Sequence, residues 1–561
     1  MKQEKRLRER IHYANVREMI EDVGERFKND GAYAYRLNPR DKEDQIVRKT
    51  YSELREDVRG LSTAFINAGY AGKHITVIGK CTYNWILCYY ATLCTGSVLI
   101  PLDRDWHAAD LIATAQKAET DVLICDADIA EKAKEIGDAL GITPLTIGDD
   151  VSAMTEEGKA AFAADSSAYY NTPIDAEKMS LLVFTSGTTG KGKGVMLSQS
   201  AITWDLEDVV GFINFSRKSV GVLPPHHTYG STVSIYGQNS VGIEVYISSG
   251  IRYIVNELKE QKPGHLVIVP LYLETFYRRI QSTLKEKGKL KLINNLIKVS
   301  NLLRKIGIDL RKKLFKQVIE AFGGNLSLVV SGGAPINNDI IRFFDGIGIE
   351  VLNGYGITEC APLISVNHSG RVIPGTVGFP IDGDVIRIDD PNEDGEGEIC
   401  VKGPNVMLGY YKDEETTAQA MTEDGYFRTG DYGKFTKEGA IAITGRKKNL
   451  IILSNGKNVY PEEIESDFIA IPGLLEIIVY EGKSKRGLEH NQIVAEIFPD
   501  YDYLKANGIT DAKEYFQGYV NEYNKTAVAY KKIGVVKIRT EEFPKNTLRK
   551  IMRFKLDMTI D

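Results

Sequence analysis

Apolar and polar positions along the first part of the chain follow two periods, one typical of helices and one typical of strands. Thr50 and Glu53 have the spacing of an N-terminal helix cap, and apolar residues recur at helical spacing from there to about Ala68. The elements predicted next are strands at 75–80, 97–102 and 121–126 and a helix at 83–96. This alternation predicts a parallel sheet with helices packed on its faces.

Three later strands each lead into a glycine-rich loop. The apolar runs LLVF, LSLVV and IEVL precede the sequences TSGTTG, SGGAP and NGYGITE, respectively. Ligands in parallel α/β sheets bind beyond the carboxyl ends of the strands. The three loops therefore predict one shared binding site.

The sequence pattern changes from about Val385 onward, where short strand-like runs joined by turns predict a β-rich part. We predict an α/β fold with a large, multi-sheet N-terminal domain, residues 1–446, that combines parallel α/β layers with this β-rich part. Residues 447–561 are predicted to form a small C-terminal α+β domain. The length of 561 residues supports two units, because a single core seldom grows beyond roughly 250–300 residues.

Composition and charge exclude several classes of protein. The chain is 43% hydrophobic and 26% charged, as in ordinary globular proteins, and its net charge of -6 predicts no nucleic-acid partner. Its start resembles no signal peptide, and no apolar run approaches the ~20 residues of a membrane span. Six cysteines without metal-ligand spacing predict buried, reduced thiols. We therefore expect a cytoplasmic protein.

The segment Thr185–Gly194, TSGTTGKGKG, is rich in groups that bind phosphate. Its glycines let backbone N–H groups turn toward an anion, its hydroxyls add donors, and Lys193 supplies positive charge. The spacing nearly satisfies the P-loop pattern, but Gly194 stands where a P-loop NTPase has the Ser or Thr that binds Mg²⁺. The loop predicts a phosphate site in which another residue holds the metal.

This loop resembles the nucleotide motif of the acyl-adenylate-forming superfamily of acyl-CoA synthetases, luciferases and peptide-synthetase adenylation domains. Gly192 stands where that motif usually has proline. Further motifs match in order: SGGAP (331–335), NGYGITE (353–359), YFRTGD (426–431), ITGRKKN (443–449) and EFPKNTLRKIMR (542–553). The resemblance extends from about Thr50 to Arg553 and implies ATP, Mg²⁺ and coenzyme A as cofactors and cosubstrates.

The resemblance also implies roles for individual residues. Tyr355 is expected to stack on adenine, and Asp431 and Arg446 to hold the ribose hydroxyls. Glu359 and Thr188 are the expected magnesium ligands, and a carboxylate suits Mg²⁺. The implied nucleotide-binding set is Thr185, Ser186, Gly187, Thr188, Thr189, Gly190, Lys193, Gly333, Ala334, Pro335, Tyr355, Gly356, Thr358, Glu359, Asp431, Arg446 and Lys550.

The last motif implies a catalytic lysine, Lys550, between the carboxylate of the acid and the α-phosphate. Arg549 stands where the motif usually has glycine, so Lys545 stays open as an alternative. The implied catalytic set is Lys550, Thr185, Glu359 and His227.

Superfamily members rotate a mobile C-terminal domain between their two half-reactions, which implies a hinge at Lys448. Gly456 and Lys457 are the implied loop that admits the thiol, although a simple hairpin turn is the alternative for this glycine.

The sequence PPHHTYG, 224–230, resembles the acyl-site motif, with His227 at the usual histidine. It lacks the Asp with which amino-acid-activating relatives pair the ammonium group of the substrate. A stand-alone peptide-synthetase domain is therefore disfavoured. A packed core histidine is the alternative for His227.

A basic stretch, residues 285–316, holds eleven Lys and Arg residues against two acidic ones. Its apolar residues at helical spacing are Leu292, Leu296, Val299, Leu302, Leu303 and Ile306. A helical insertion at this place resembles long-chain fatty acyl-CoA synthetases. One hypothesis is a weak peripheral contact with the inner membrane surface. The alternative is a core-facing helix with a solvated basic back.

Taken together, the residues and the resemblance predict an AMP-forming acid–thiol ligase. It would activate a carboxylic acid as an acyl-adenylate, release pyrophosphate and transfer the acyl group to coenzyme A, with a long-chain fatty acid as the predicted acid. Alternatives are an aromatic, bile-acid-like or medium-chain acid, a carrier-protein thiol as acceptor, or a non-catalytic nucleotide-binding protein. The protein is expected to be a monomer or a homodimer.

Overall fold

The structure is a computed structural model. It describes residues 6–38, 41, 44–185, 192–452, 458–469, 471–485, 487, 491–545 and 551–560. All six cysteines are free thiols, and five of them are buried. No helix within the described ranges has the length and apolar character needed to cross a bilayer.

The elements of the first half of the chain alternate as the hydrophobic pattern predicts. In order they are α1 Val16–Arg26, β1 Gly31–Arg36, β2 Ile46–Thr50, α2 Tyr51–Asn67, β3 His74–Ile78, α3 Tyr83–Cys94, β4 Val98–Leu102, α4 Ala108–Lys117, β5 Val122–Cys125, α5 Ala130–Leu140, β6 Leu145–Thr146, α6 Asp149–Ala164, α7 Ser167–Asn171, β7 Met179–Thr185, β8 Lys193–Ser198, α8 Gln199–Val209, β9 Lys218–Gly221, a π-helix Tyr229–Gly237, α9 Gln238–Ser240, β10 Glu244–Ile247, α10 Ile254–Gln261 and β11 His265–Ile268.

The second half begins with helices and ends in a β-rich part and a smaller α+β unit. In order its elements are α11 Pro270–Glu286, α12 Leu290–Arg304, α13 Arg311–Leu314, α14 Lys316–Glu320, β12 Leu328–Ser331, α15 Asn338–Ile347, β13 Glu350–Gly356, β14 Leu363–Val366, β15 Phe379–Pro380, β16 Val385–Asp389, β17 Gly397–Lys402, β18 Gly409–Tyr410, α16 Glu414–Ala420, β19 Phe427–Phe435, β20 Ile441–Arg446, β21 Ile451–Ile452, β22 Asn458–Val459, α17 Pro461–Phe468, β23 Leu474–Gly482, β24 Gln492–Pro499, α18 Tyr501–Ala506, α19 Ala512–Thr526 and β25 Val535–Ile538.

The predicted cap at the start of α2 is present. The Thr50 hydroxyl accepts a hydrogen bond from the Glu53 backbone N–H at 3.2 Å, and the Glu53 carboxylate accepts one from the Thr50 N–H at 2.7 Å. This reciprocal arrangement satisfies N–H groups that a helix start otherwise leaves unpaired. The helix therefore begins where the sequence predicts.

Two large sheets carry the N-terminal part of the chain. One has nine strands in the order β15-β14-β13-β12-β11-β9-β10-β1-β2, and the other has seven in the order β18-β8-β7-β4-β3-β5-β6. The central strands of both sheets pair in parallel. Helices cover their faces, so the predicted α/β layers are confirmed.

Successive residues of one strand enter different hydrophobic cores. On β12, Val330 packs into the large core shared with helices α2 and α3, whereas Val329 faces a second core built with α11 and α15. On β3, Val77 and Ile78 separate in the same way. Strand side chains alternate between faces, and for this reason continuous apolar runs mark strands that are buried on both sides.

The three glycine-rich loops belong to two sheets. SGGAP and NGYGITE follow β12 and β13, which are neighbours in the nine-stranded sheet. TSGTTG instead connects β7 to β8, which pair antiparallel in the seven-stranded sheet. The strands on either side of this loop are thus antiparallel neighbours, whereas a P-loop joins a strand to a helix.

The sequence spacing predicts one apolar face for the basic stretch, but the structure does not show one. On α12, Leu296 packs against the second core together with Ile297. The side chains of Leu292, Val299, Leu302 and Ile306 are exposed. The difference arises because α12 packs on α15 and α11 from one side, while its apolar residues are distributed around more of its circumference.

The β-rich part and the C-terminal unit match the predicted classes. Strands β16, β17, β19 and β20 form an antiparallel sheet. Strands β23, β24 and β25 form a mixed sheet, and α17 and α19 contribute to the same buried cluster, which begins at Ile451. The boundary between 446 and 447, and the mobility of the smaller unit, stay predictions.

Candidate active site

Three residues assigned to the adenosine by resemblance lie together. The Tyr355 hydroxyl donates a hydrogen bond to Asp431 Oδ2 at 2.7 Å, and Arg446 Nε lies 2.9 Å from Asp431 Oδ1. Asp431 and Arg446 are paired residues of the neighbouring strands β19 and β20, and this pairing places them side by side. Burial, followed by the Asp431 charge, raises the pKa of Tyr355, so its phenol stays a donor. Asp431 keeps acceptor capacity for hydroxyl groups of a ligand.

The glycines of the two loops beside this group lie close to neighbouring residues. A Cβ on Gly356 would lie 2.1 Å from the Pro362 carbonyl oxygen, and one on Gly332 would lie 3.3 Å from the Tyr229 ring. Gly333 has a φ of +85°, which favours glycine. Ala334 and Pro335 follow with exposed side chains. The backbone of this loop is therefore open to a flat ligand.

On the phosphate side, Thr185 and Lys193 face each other at the mouth of the β7–β8 hairpin. The Thr185 hydroxyl lies 3.5 Å from the Lys193 carbonyl oxygen. A Cβ on Gly194 would lie 3.0 Å from Leu182 and 3.1 Å from Phe184, so a Ser or Thr here would have to displace these side chains by a few tenths of an ångström. The other predicted members of the loop, Ser186, Gly187, Thr188, Thr189 and Gly190, lie outside the described residues.

Tyr410 joins this hairpin to the second motif, and the sequence motifs did not indicate it. Its hydroxyl donates to Glu359 Oε1 at 2.9 Å, and Lys193 Nζ lies 4.7 Å from its ring centroid. Tyr410 reaches this place because β18 pairs with β8. A role that depends on strand pairing leaves no local signal in the sequence. Thr358, beside Glu359, lies on the same short 3-10 helix.

Glu359 is suited to share a magnesium ion with a phosphate ligand. Within the described part of the chain, no group of three His, Cys, Asp or Glu side chains could hold a metal by itself. Mg²⁺, however, is usually bound by one or two carboxylates together with substrate phosphates. A half-buried carboxylate with one oxygen on the Tyr410 hydroxyl, whose ring also contacts Lys193, fits that pattern.

We expect Tyr410→Phe to lower the rate of adenylate formation about tenfold or more and to raise the Mg²⁺ concentration needed for half-maximal rate. The hydrogen bond to a charged carboxylate contributes about 1.5–3 kcal/mol, and its loss leaves Glu359 less firmly placed. Pyrophosphate release measured over a magnesium series tests this.

Tyr411→Phe is the matched control for this prediction. The Tyr411 hydroxyl donates to Glu119 at 2.6 Å, away from Glu359. Equal effects of the two substitutions would contradict a specific role for Tyr410.

His227 lies in the loop that leads into the π-helix. Burial, followed by the neighbouring His226, lowers the pKa of His227 to about 3, so the ring is neutral. Its Nε2 is buried and has no hydrogen-bond partner among the described residues. His226 in turn faces Asp103, with 3.4 Å between Nε2 and Oδ2. Both the acyl-site role and the packed-histidine alternative are compatible with this position.

An apolar pocket opens beside the two nucleotide loops. Its empty volume, which includes space open to solvent, is about 640 Å³. One end is formed by Gly332, Gly333 and Tyr355 of those loops. The remaining wall is aliphatic and aromatic and includes Leu206, Val209, Val210, Ile213, Phe215 and Val233.

The candidates for the catalytic lysine, the hinge and the thiol-access loop lie near the C-terminal end of the chain, and the structure describes two of them. Lys545 forms ion pairs with Glu476 and Glu542, and its role as the alternative catalytic lysine stays a prediction. Lys448 lies, exposed, on the short 3-10 helix Lys447–Asn449. Lys550, Gly456 and Lys457 lie outside the described residues.

The segment around Lys448 is held from both sides. Lys447 Nζ lies 2.7 Å from Glu398 of β17, and the Asn449 amide donates to Glu462 of α17 at 2.5 Å. The hinge role of Lys448 stays a prediction.

Comparison with known proteins identifies the family of this chain. The sequence profile described as "AMP-binding enzyme" matches residues 20–411, more than half of the chain. The chain belongs to the AMP-binding enzyme family. The predicted superfamily is thereby confirmed, and the relatives are named as CoA or acyl-carrier-protein ligases, in agreement with the predicted AMP-forming acid–thiol ligase.

Two relatives and one solved structure illustrate the similarity of this AMP-binding enzyme. "Long-chain-fatty-acid--CoA ligase FadD15" of Mycobacterium bovis is 27% identical over 457 residues, with 77% of this chain and 74% of that protein covered. "Long-chain-fatty-acid--[acyl-carrier-protein] ligase AEE15, chloroplastic" of Arabidopsis thaliana is 27% identical over 527 residues, covering 79% and 72%. The crystal structure of ATP-bound MatB from Rhodopseudomonas palustris has a TM-score of 0.74 at 23% identity, covering 96% and 97%, and shows that the fold is shared.

Proposed function

We propose that this AMP-binding enzyme activates a long-chain fatty acid with ATP and transfers the acyl group to coenzyme A. The observation that carries the proposal is the apolar pocket that opens directly at the two nucleotide loops, with Tyr355 and Gly333 in its wall. An acid bound in that pocket would have its carboxylate at the adenosine side of the site. The names of the relatives support the same acid class.

In the first half-reaction, a carboxylate oxygen attacks the α-phosphorus of ATP and the bond to pyrophosphate breaks. Both reactants are anionic, so the site has to offset their repulsion and hold them in line. Lys193 and the hydroxyl of Thr185 supply positive charge and a donor on the phosphate side. Glu359 would hold Mg²⁺, which neutralises phosphate charge. Asp431 and Arg446 orient the ribose.

In the second half-reaction, the thiol of coenzyme A attacks the acyl carbon, the acyl-phosphate bond breaks and AMP leaves. His227 is neutral at physiological pH because its pKa lies at about 3. It can therefore accept or donate a hydrogen bond near the acyl group without adding charge. A carrier-protein thiol is the alternative acceptor, favoured by the name of the Arabidopsis relative. The free state of all six cysteines supports a cytoplasmic location.

The deciding experiment is ATP–pyrophosphate exchange across a series of acids, followed by acceptor assays with the best acid. We expect saturated long-chain acids to give the highest kcat/KM, and coenzyme A to be preferred over a pantetheinyl carrier protein. A preference for aromatic or bile acids would overturn the proposed acid. An absence of exchange with every acid would favour a non-catalytic nucleotide-binding protein.

Gly237 is expected to determine the length of the acid. It lines the pocket, and a Cβ there would lie 3.2 and 3.3 Å from the two methyl carbons of Leu206, another wall residue. Gly237→Leu should therefore lower kcat/KM for long acids at least tenfold relative to short ones, because one methylene in a tight pocket is worth about 1–3 kcal/mol. Kinetics with acids of graded length measure this.

Gly518→Leu serves as the control for that substitution. Gly518 lies on α19, and a Cβ there has no neighbour within 4 Å. A shift of chain-length preference in this variant, or none in Gly237→Leu, would contradict the assignment of Gly237.

A further inference from the structure

Helix α12 is fixed to the body of the protein through one of its sides. Ile293 and Ser300 are buried, and a Cβ on Gly346 of α15 would lie 2.7 Å from Ile297. Arg304, the last residue of the helix, and Arg311 beyond it both form ion pairs with Asp345 of α15. The opposite side of α12 is thus held outward as a rigid surface.

That outward side carries a row of exposed apolar side chains. Leu292, Val299, Leu302 and Ile306 are 55%, 53%, 65% and 70% exposed, respectively. Of the eighteen large apolar side chains that are exposed in the described ranges, six lie between 292 and 310, with Ile308 and Leu310 as the other two. This density is unusual, because exposed apolar residues on a protein surface are normally scattered singly.

A lysine precedes three members of this row. The pairs Lys291–Leu292, Lys298–Val299 and Lys305–Ile306 recur every seven residues, which places them on one side of the helix. No carboxylate of the described ranges forms an ion pair with these three lysines. By contrast, the acidic residue nearest in sequence, Asp309, is bound by Arg311.

The segment that contains this surface has a charge opposite to that of the whole protein. Residues 285–316 carry a net charge of +9, whereas the chain carries -6. A further lysine pair, Lys312 and Lys313, lies exposed just beyond the row. The positive charge is therefore concentrated around the exposed apolar residues.

We propose that the outward side of α12, residues 291–306, docks on an anionic lipid leaflet, with the apolar row at the headgroup boundary and the lysines on the headgroups. Apolar residues flanked by lysines suit that boundary, because the chains insert while the ammonium groups reach anionic headgroups. A second copy of this chain is a poor occupant, since a two-fold contact would bring the same lysines together. The long-chain acid of the proposed function is not needed for this binding.

Sedimentation of the full-length protein with lipid vesicles, without ATP or acid, tests the proposal. We expect binding to phosphatidylcholine vesicles that contain phosphatidylglycerol, little binding to phosphatidylcholine alone, and weakening as salt is raised. Each lysine near an anionic leaflet contributes about fivefold to partitioning. The triple variant Lys291→Gln, Lys298→Gln, Lys305→Gln should therefore bind about a hundredfold more weakly.

Two further variants separate the contribution of the lysine charges on α12 from that of its apolar side chains and from that of net charge. Leu292→Ser, Val299→Ser, Ile306→Ser should also lose binding while keeping all the lysines. Lys259→Gln, Lys437→Gln, Lys513→Gln changes the net charge equally at exposed positions elsewhere and should bind like the wild type. Thermal unfolding checks that each variant is folded.

The proposal is overturned if the wild type ignores anionic vesicles, if it binds neutral ones equally, or if the control triple loses as much binding as the α12 triple. A change of sedimentation coefficient in the serine variant, without vesicle binding by the wild type, would identify a second copy as the occupant and overturn it as well. If the wild type shows no ATP–pyrophosphate exchange, that result contradicts the proposed function and leaves the membrane proposal unaffected.

Discussion

Lys550→Ala is expected to slow adenylate formation by about two orders of magnitude or more while leaving thioester formation from supplied acyl-adenylate intact. One donor placed on the developing charge contributes about 3–4 kcal/mol to the transition state, and 1.36 kcal/mol corresponds to tenfold in rate. In the second half-reaction, the family resemblance places this lysine away from the reacting atoms. The two half-reactions are measured separately, by pyrophosphate exchange and by coenzyme A consumption from synthetic acyl-adenylate.

Lys545→Ala is the matched control, because it removes a lysine from the same motif. Lys545 is engaged with Glu476 and Glu542, so we expect its loss to lower stability and to leave the rate of adenylation in the folded enzyme nearly unchanged. A reversed result, with Lys545 essential and Lys550 dispensable, would transfer the catalytic role. Equal loss of both half-reactions in a folded Lys550→Ala enzyme would rule out the rotating-domain interpretation.

Asp431→Ala is expected to raise the KM for ATP about a hundredfold. Each hydrogen bond to a charged group contributes about 1.5–3 kcal/mol, and this carboxylate is the proposed acceptor of two ribose hydroxyls. The substitution also leaves the Tyr355 hydroxyl and Arg446 without their acceptor. Steady-state kinetics with ATP as the varied substrate measure the change.

Deoxy-ATP analogues show whether the effect comes from the ribose. In the wild type, removal of the 2′- or 3′-hydroxyl should raise KM, whereas in Asp431→Ala the same removal should have almost no further effect. Asp389→Ala is the control, since Asp389 pairs with Arg387 and Arg428 in the same sheet and does not contact Tyr355. A full additional deoxy penalty in Asp431→Ala would show that the carboxylate does not hold the ribose.

Much of the architecture was predictable because local patterns determined it. The cap of α2, the strands β3 to β5 and the β-rich part after Val385 all follow from periodicity and turn chemistry in short windows. Those signals need no distant partner. Pairing between strands does, and for that reason the sequence did not distinguish the hairpin at β7–β8 from a strand that leads into a helix.

The sequence by itself determined the family, the order of the motifs and the identity of the residues that meet, including Tyr355, Asp431 and Arg446. Tertiary structure alone decided how they meet. The partnering of β18 with β8 brings Tyr410 between Lys193 and Glu359, and packing against α15 turns Leu292 and its neighbours outward. The physical reason is the same in both cases: contacts between residues far apart in sequence depend on sheet order and helix packing, which no local period encodes.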